Sequence, residues 1–566
     1  MKKTLALALL TTVVGSTTLL SACSSDDTTK PAQSAQPTQP AASSSGSASA
    51  KPDAKADPLG KYENPVTVSM VLGARPPEDK NTPQGLTPDQ NGYLKKLKEM
   101  LNIEVKYNWV VPYDQFTQKF SLTVASGDLP DVMWIDAADY EKFKEQGVLA
   151  DLSEAYAKYA SPTIKSYVES DGGETLKLFK DGNKLFGIPS FNDPNLSLQT
   201  LWIRSDWLKK LNLQPPKTFE ELEKIAEAFV KNDPDGNGKA DTYGLAINKK
   251  LNFWGLDARG FFYTMGAYPY NFIKGADGKL VAGETTPETR KSLEKLADWY
   301  KRGLLDKEWA FKDENKVMED IVADKVGISF GEWWYPNWPL NIHRDKNKEA
   351  DWINLPLPSY EGKPGKSLVP RYRMGKILVV NKKAKNPEAA IKMANFYYEM
   401  AKEEYAAINT PANGWVYLWY EPRISNSLEM EQIYTEVNAA LKEKKDTVKG
   451  SNPSVLPNFK AAKQFLSGDM AGWGLYFSRV AEDGGWGVTR KVKEQKLTVR
   501  GENPPVATPT QVEKGASLTK LTDETFTKII MGSSPISEFD KYVESWKKLG
   551  GDDLTKEVGD WLTKHP

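Results

Sequence analysis

The chain has 566 residues, too many for one ordinary core, so two domains are the natural expectation. Its 75 basic and 75 acidic residues cancel, and losing Lys2 and Lys3 with a leader leaves a slight acidic excess, so there is no global basic footprint for nucleic acid. One cysteine excludes an internal disulfide framework, and two histidines, His343 and His565, provide poorly for His-based acid–base or metal chemistry.

Met1, Lys2 and Lys3 form a basic n-region, and residues 4–20 an apolar h-region too short for a comfortable membrane span. The run Leu20-Ser21-Ala22-Cys23 then has the form of a lipobox. Small residues admit signal peptidase to the bond before Cys23, whose thiol would carry the lipid. Residues 1–22 are therefore expected to be a lipoprotein signal peptide, with Cys23 lipidated and palmitate among its acyl chains. The bland alternative is an ordinary signal peptide with an incidental cysteine. Residues 23–62 are mostly Ser, Thr, Ala, Pro, Gln and Asp. Such a stretch buries too little apolar surface to offset its ordering entropy, which predicts a disordered tether. No other segment has a transmembrane length of unbroken apolar residues, so the expected state is anchored, not spanning.

Folded sequence begins near Val66. Residues 66–71, 103–109 and 129–135 read as strands, with helices over 93–101 and 113–125 between them. This alternation predicts an α/β protein with a parallel sheet and ligand chemistry at the carboxyl ends of its strands. The chain is expected to cross into a second lobe near Pro189 and back near Pro358. Residues 374–381 then form a strand of the first lobe, and Asn386-Pro387 starts a helix with Ala390, Met393, Ala394 and Tyr397 on one face. The N-terminal lobe is thus read as 63–190 with 359–400, and the C-terminal lobe as 191–358 with 401–500. Residues 501–566 form an extended segment and terminal helices. Each lobe is discontinuous, joined by several strands acting as a hinge, and the C-terminal part is rich in helix.

Residues 201–246 are the most informative stretch. Thr218 and Glu221 form a capping box, and Leu222, Ile225, Ala226 and Phe229 fall on one helical face. The loop after this helix reads D-x-D-x-N-G-x-x-D, the first nine positions of an EF-hand loop. Asp233, Asp235, Asn237, the Lys239 carbonyl and Asp241 are the candidate ligands of one structural Ca²⁺ within 233–244. Gly244 stands where the bidentate acid of position 12 belongs. A polar Asx/Gly turn that merely closes the helix is the alternative.

The run Trp202-Ile203-Arg204-x-Asp206-Trp207-Leu208, the Asp/Asn/Gly loop, residues 126–134, 147–152 and 184–189, and the terminal helices resemble extracellular solute-binding proteins of family 1. The likeness is to the large lipoproteins of carbohydrate ABC importers, the alginate-binding and LplA-type groups of which the latter is Gram-positive. It covers residue 64 to the end. It implies a two-lobed periplasmic-binding-protein fold, type II-like, closing by hinge motion on a sugar. It also implies ABC permease transmembrane subunits as partners, a monomer lipid-anchored at the extracellular face of the cell membrane, and no enzymatic activity.

A sugar is bound by aromatic rings on its C–H faces and by carboxylate, amide and guanidinium groups on its hydroxyl edge. The chain has 17 Trp and 24 Tyr. Candidates at strand ends and in loops are Trp134, Asp136, Phe191, Asn192, Trp254, Glu332, Trp333, Trp334, Arg371, Tyr372, Arg373, Trp415, Trp473 and Trp486. Each has core packing as its plain alternative. Arg371 and Arg373 would clamp a carboxylate or sulfate, favouring an acidic oligosaccharide, or else be a solvated pair. A carbohydrate-cleaving enzyme, with Glu332 and Asp136 as paired acids, and a polysaccharide-binding module without transport are the competing readings.

Overall fold

The computed structural model describes residues 57–74, 85–405, 407–408, 420–452 and 454–565. The leader, Cys23, residues 24–56 and Trp415 lie outside them. Residues 57–62, expected in the tether, are instead held on the body. The carbonyl oxygens of Pro58 and Gly60 accept from Asn395 Nδ2 at 3.0 Å and Lys392 Nζ at 2.6 Å, and the Tyr62 hydroxyl donates to Glu388 at 2.7 Å.

The first lobe opens with β1 (Val66–Ala74), α1 (Gly92–Leu101), β2 (Ile103–Pro112), α2 (Tyr113–Ser126) and β3 (Val132–Ile135), and reaches β4 (Ile188–Phe191). α1 begins where the Asn91 side chain accepts from the backbone of Tyr93 and Leu94, and stops at Asn102, whose φ is 58°. Its buried residues, Tyr93, Leu97 and Leu101, recur every fourth position and so share one face. The chain then enters the second lobe through β5 (Thr200–Arg204) and α3 (Phe219–Lys231), followed by β6 (Ile328–Gly331), β7 (Trp352–Leu355) and β8 (Ser367–Pro370). It returns as β9 (Met374–Val380) and α4 (Glu388–Met400). A last crossing leads to α5 (Glu429–Lys442), α6 (Val455–Leu466), β10 (Thr498–Gly501), α7 (Pro509–Ile530), α8 (Glu538–Trp546) and α9 (Asp552–Lys564).

The sheets correct the parallel expectation. β1 and β2 do pair in parallel, with a bulge between Met70 and Val71, and so do β8 and β10. The sheet of β3, β9 and β4 is antiparallel, with β9 in its centre (Ile377↔Ile135, Leu378↔Ile188). In the second lobe β5 is central and antiparallel to β6 and β7. Local strand–helix alternation fixes direction only when consecutive strands stay in one sheet. Here β9 arrives after the whole excursion through the second lobe and runs against its neighbours.

The two cores redraw the lobe limits. Leu368 belongs to the second-lobe core with Leu201, Trp207, Phe229 and Ile328, so the return falls at residues 371–373, not near 359. Tyr420 and Ile424 belong to the first-lobe core with Ile188, Ile377 and Phe396, which corrects the expectation that all of 401–500 lies in the second lobe. The terminal helices α7 to α9 are part of the second lobe, burying Leu518, Phe526, Tyr542 and Val558 in its core.

α3 has the expected capping box, and Leu222, Ile225, Ala226 and Phe229 are all buried. The Arg204 and Asp206 pair that precedes it is a structural knot. Arg204 is buried and forks to Asp206 Oδ1 at 2.8 Å and Asp324 Oδ1 at 2.6 Å. His343 Nε2 lies 2.8 Å from the same Asp324 oxygen, while His343 Nδ1 accepts the Trp352 indole N–H at 3.0 Å. The tautomer is thereby set: the imidazole is neutral and its proton sits on Nε2.

Candidate functional site

Three chain segments cross between the lobes, and short side chains stitch them together. β4 pairs with β9 at Met374↔Phe191, and Gly375 sits where a Cβ would meet the Ser190 carbonyl oxygen at 3.1 Å. The glycine lets the two backbones close up at that point. The Ser190 hydroxyl donates to Ser425 Oγ at 2.8 Å and accepts from the Ser425 backbone N–H at 2.8 Å. The Asn192 backbone N–H donates to the Arg373 carbonyl oxygen at 3.1 Å.

Beside these crossings lies a cavity of about 400 Å³, within the usual range of ligand sites. The first lobe contributes Trp134, Lys376, Tyr397 and Tyr398, and the second Glu429, Asn452 and Ser454. Asn192, Arg423, Ser425 and Asn426 on the crossing segments complete it. The Tyr397 and Tyr398 rings stand edge to face, 5.2 Å apart. Burial raises the Tyr398 phenol far above its ordinary range, so it stays a neutral hydroxyl.

Arg373 links this cavity to a second polar group at the end of β6. Its Nη2 is 3.9 Å from Glu332 Oε2, and Arg259 Nη2 is 3.7 Å from Glu332 Oε1. Trp334 donates its indole N–H to Glu332 at 3.2 Å, and Arg259 pairs with Asp257 at 2.7 Å. Burial pushes the Glu332 carboxyl up and the two guanidiniums pull against it. Trp334 carries an aromatic shelf: Trp254 stacks on it at 5.1 Å and lies tilted against Trp338 at 4.8 Å. Trp254 is 47% exposed, an open ring face. Gly255 leaves room for the stack, since a Cβ there would lie 2.8 Å from Trp334 Cη2.

A model described as bacterial extracellular solute-binding protein matches residues 86–404, more than half of the chain. The chain belongs to this family. It is similar to lipoprotein LipO of Bacillus subtilis (strain 168), 24% identical over 520 residues that cover 87% of this chain and 96% of the relative. It is also similar to the polygalacturonan/rhamnogalacturonan-binding protein YtcQ of the same organism, 24% identical over 522 residues, covering 90% of this chain and 93% of the relative. Among solved structures, the S. pneumoniae ABC-transporter substrate-binding protein FusA, an EF-hand mutant in complex with fructo-nystose, superposes with a TM-score of 0.58 at 20% identity, covering 88% of this chain and 99% of that one. At that identity the likeness speaks for the fold: the two-lobed, discontinuous α/β architecture with a multi-strand hinge.

In this solute-binding frame the predicted residues separate. Trp134 and Asn192 line the cavity, and Asp136 is exposed at its edge, 3.1 Å from Lys376. Glu332, Arg373, Trp334 and Trp254 meet at the second polar group. Asp136 and Glu332 are engaged with different cations in different lobes. Phe191 is buried within β4 and serves the core. Trp473 and Trp486 are 3% and 1% exposed, which corrects their reading as cleft rings. Trp473 packs under Arg344, and Trp486 on Trp333 at 5.1 Å with Arg479 over both. Arg371 and Tyr372 are also corrected. Arg371 pairs with buried Glu502 at 3.0 Å and donates to the His565 carbonyl oxygen at 2.6 Å, and Tyr372 packs edge-on to Trp561. Tyr398, Asn426 and Asn452 were missed. Tyr398 adjoins Tyr397 at the end of α4, just before a lobe crossing, and that position was the available signal.

The acidic loop is closed on itself. Asp233 accepts from the backbone of Asn237 and Gly238 at 3.1 and 3.0 Å, and the Asn237 amide donates to Asp235 at 2.5 Å and Asp241 at 3.1 Å. The Lys239 N–H donates to Asn237 Oδ1 at 2.7 Å. Asp235 Oδ1 is buried without a partner, and burial with the neighbouring Asp233 pushes the Asp235 carboxyl up to about 6. Gly244 admits no side chain, since a Cβ would lie 2.9 Å from both Ala226 Cβ and the Leu304 carbonyl oxygen. Among the described residues no group of three or more His, Cys, Asp or Glu is arranged to hold a metal.

Proposed function

We propose that this solute-binding protein takes a sugar or oligosaccharide between its lobes and passes it to the transmembrane subunits of an ABC importer. The observation that carries the reading is the cavity at the crossings. It joins the rings of Trp134 and Tyr397 to the amides and hydroxyls of Asn192, Ser425 and Asn452, the mixture that sugar faces and edges require. The relatives agree in kind: one is a polygalacturonan/rhamnogalacturonan-binding protein, and another was solved with fructo-nystose. With ligand groups on both lobes, closure and affinity are two aspects of one equilibrium. The protein acts as a monomer, held at the extracellular face of a Gram-positive membrane by lipid, palmitate included, on Cys23. The likeness to a lipoprotein supports that anchor.

The loop 233–244 takes one structural Ca²⁺. The orphaned Asp235 oxygen, next to Asp233 and with Asp241 sharing the same Asn237 amide, fits a hard cation that relieves carboxylate repulsion. The Lys239 carbonyl would be the main-chain ligand, and water would stand in for position 12.

The test is a thermal-shift screen of the purified chain against oligosaccharides at about 100 times the dissociation constant, where binding adds about 2.7 kcal/mol. A shift with the sugar recovered intact supports a transport receptor. Cleavage of the sugar overturns the non-enzymatic reading, and no shift with any sugar overturns the ligand class.

A further inference from the structure

We infer that the cleft selects neutral oligosaccharides over uronates, because the cations along it are already matched by carboxylates of the chain. The inference rests on the sugar-binding reading above and names the class of sugar.

The expected pair of arginines is not a pair. Arg371 turns away to Glu502 and to the His565 carbonyl oxygen, leaving Arg373 alone on the cleft side. Arg373 and Arg259 flank Glu332 at 3.9 and 3.7 Å, and Arg259 is matched at 2.7 Å by Asp257. Two guanidiniums thus face two carboxylates. In the cavity, Lys376 is matched by Asp136 at 3.1 Å, and Glu429 adds an acid to the lining that also holds Arg423.

A uronate carboxylate entering this cleft loses water and needs a cation that is not already compensated. Here it would instead add negative charge beside Glu332. A hydroxyl group faces no such cost. Arg259 Nη2 and Arg373 Nη1 are themselves buried, but the Arg373 side chain stays 31% exposed beside Glu332. One guanidinium N–H donates to a hydroxyl oxygen while Glu332 accepts the proton of the next hydroxyl, so adjacent hydroxyls satisfy donors and acceptor with no change in net charge. The shelf of Trp254, Trp334 and Trp338 beside them offers a face for the same ring.

The test is titration calorimetry of the full chain with maltotetraose, nystose and tetragalacturonate, at low and high salt, alongside Glu332→Gln and the exposed Asp136→Asn. The expected result is at least one neutral sugar bound about tenfold or more tighter than tetragalacturonate, with little dependence on salt. Each variant, folded by its melting curve, should then narrow that preference, Glu332→Gln by about tenfold. Tetragalacturonate binding as tightly as the neutral sugars, or tighter, overturns the inference and leaves the sugar-receptor reading standing. An unchanged preference in both folded variants also overturns it. If no sugar of either charge binds, the sugar-receptor reading fails and the inference falls with it.

Discussion

Arg371 and Glu502 form an ion pair at 3.0 Å with side chains only 7% and 5% exposed, on the segment that carries the chain back to the first lobe. Removing one partner of such a pair leaves a buried charge uncompensated, typically at about 3–5 kcal/mol. Arg371→Ala should therefore lower the melting temperature markedly. Arg371→Lys should rescue little, because one ammonium cannot reach both Glu502 and the His565 carbonyl oxygen with the fork geometry of arginine. Arg373→Ala, whose side chain is 31% exposed, should cost less stability and more ligand affinity. Melting curves and calorimetry on the same samples separate the two roles.

The Asp324 and His343 pair makes stability fall with acid. Burial opposes ionisation of Asp324, but the His343 hydrogen bond and the Arg204 charge override it and hold the carboxyl well below the usual range. Burial lowers the His343 pKa, with Asp324 opposing. Both folded values lie below the unfolded ones. The stability from His343 is thus fully present above pH about 6.5 and fades as pH drops below it, and that from Asp324 fades below pH about 4. Asp324 has φ of 60°, a conformation asparagine tolerates, so Asp324→Asn isolates the charge. Melting temperature against pH should fall less steeply along its lowest-pH limb in this variant.

Local signals in the sequence were reliable where the physics is local. The Thr218–Glu221 capping box, the α3 face and the first-lobe strand and helix sites follow from side chains within a few residues of one another. Strand direction was not legible, because β9 takes its place only after the chain's first excursion through the second lobe. Nor could the roles of Arg371 and Arg373 be told apart. They are two residues apart in the chain, yet what divides them is the position of Glu502 and the chain terminus on one side and Glu332 on the other. Tyr398 showed as an ordinary helix residue until the crossing at Ile424 closed over it.

The Ca²⁺ proposal has a stability readout. Metal at about 100 times its dissociation constant should raise the unfolding free energy by about 2.7 kcal/mol, and a chelator should remove that gain. Asp235→Ala should abolish the difference between the two conditions. Identical melting temperatures of the wild-type chain with Ca²⁺ and with chelator would sink the proposal.

Tryptophan substitutions should divide the chain's rings into core and cleft. Trp486 is almost fully buried among Met430, Ile433 and Val480 and packs at a tilt on Trp333, so Trp486→Ala should cost about 3–5 kcal/mol in stability. Trp254 makes its ring contacts on an exposed shelf and leaves half its surface open, so its removal exposes little core. Trp134 is part-buried on β3, where it faces the cavity that both lobes build. Trp134→Ala and Trp254→Ala should therefore weaken sugar binding on the order of tenfold or more while the melting temperature moves far less than for Trp486→Ala. Measuring both quantities on all three variants decides it. Sugar affinity that tracks stability across the series would mean the rings act through packing alone. Affinity lost at Trp134 and Trp254 without matching instability places them on the ligand.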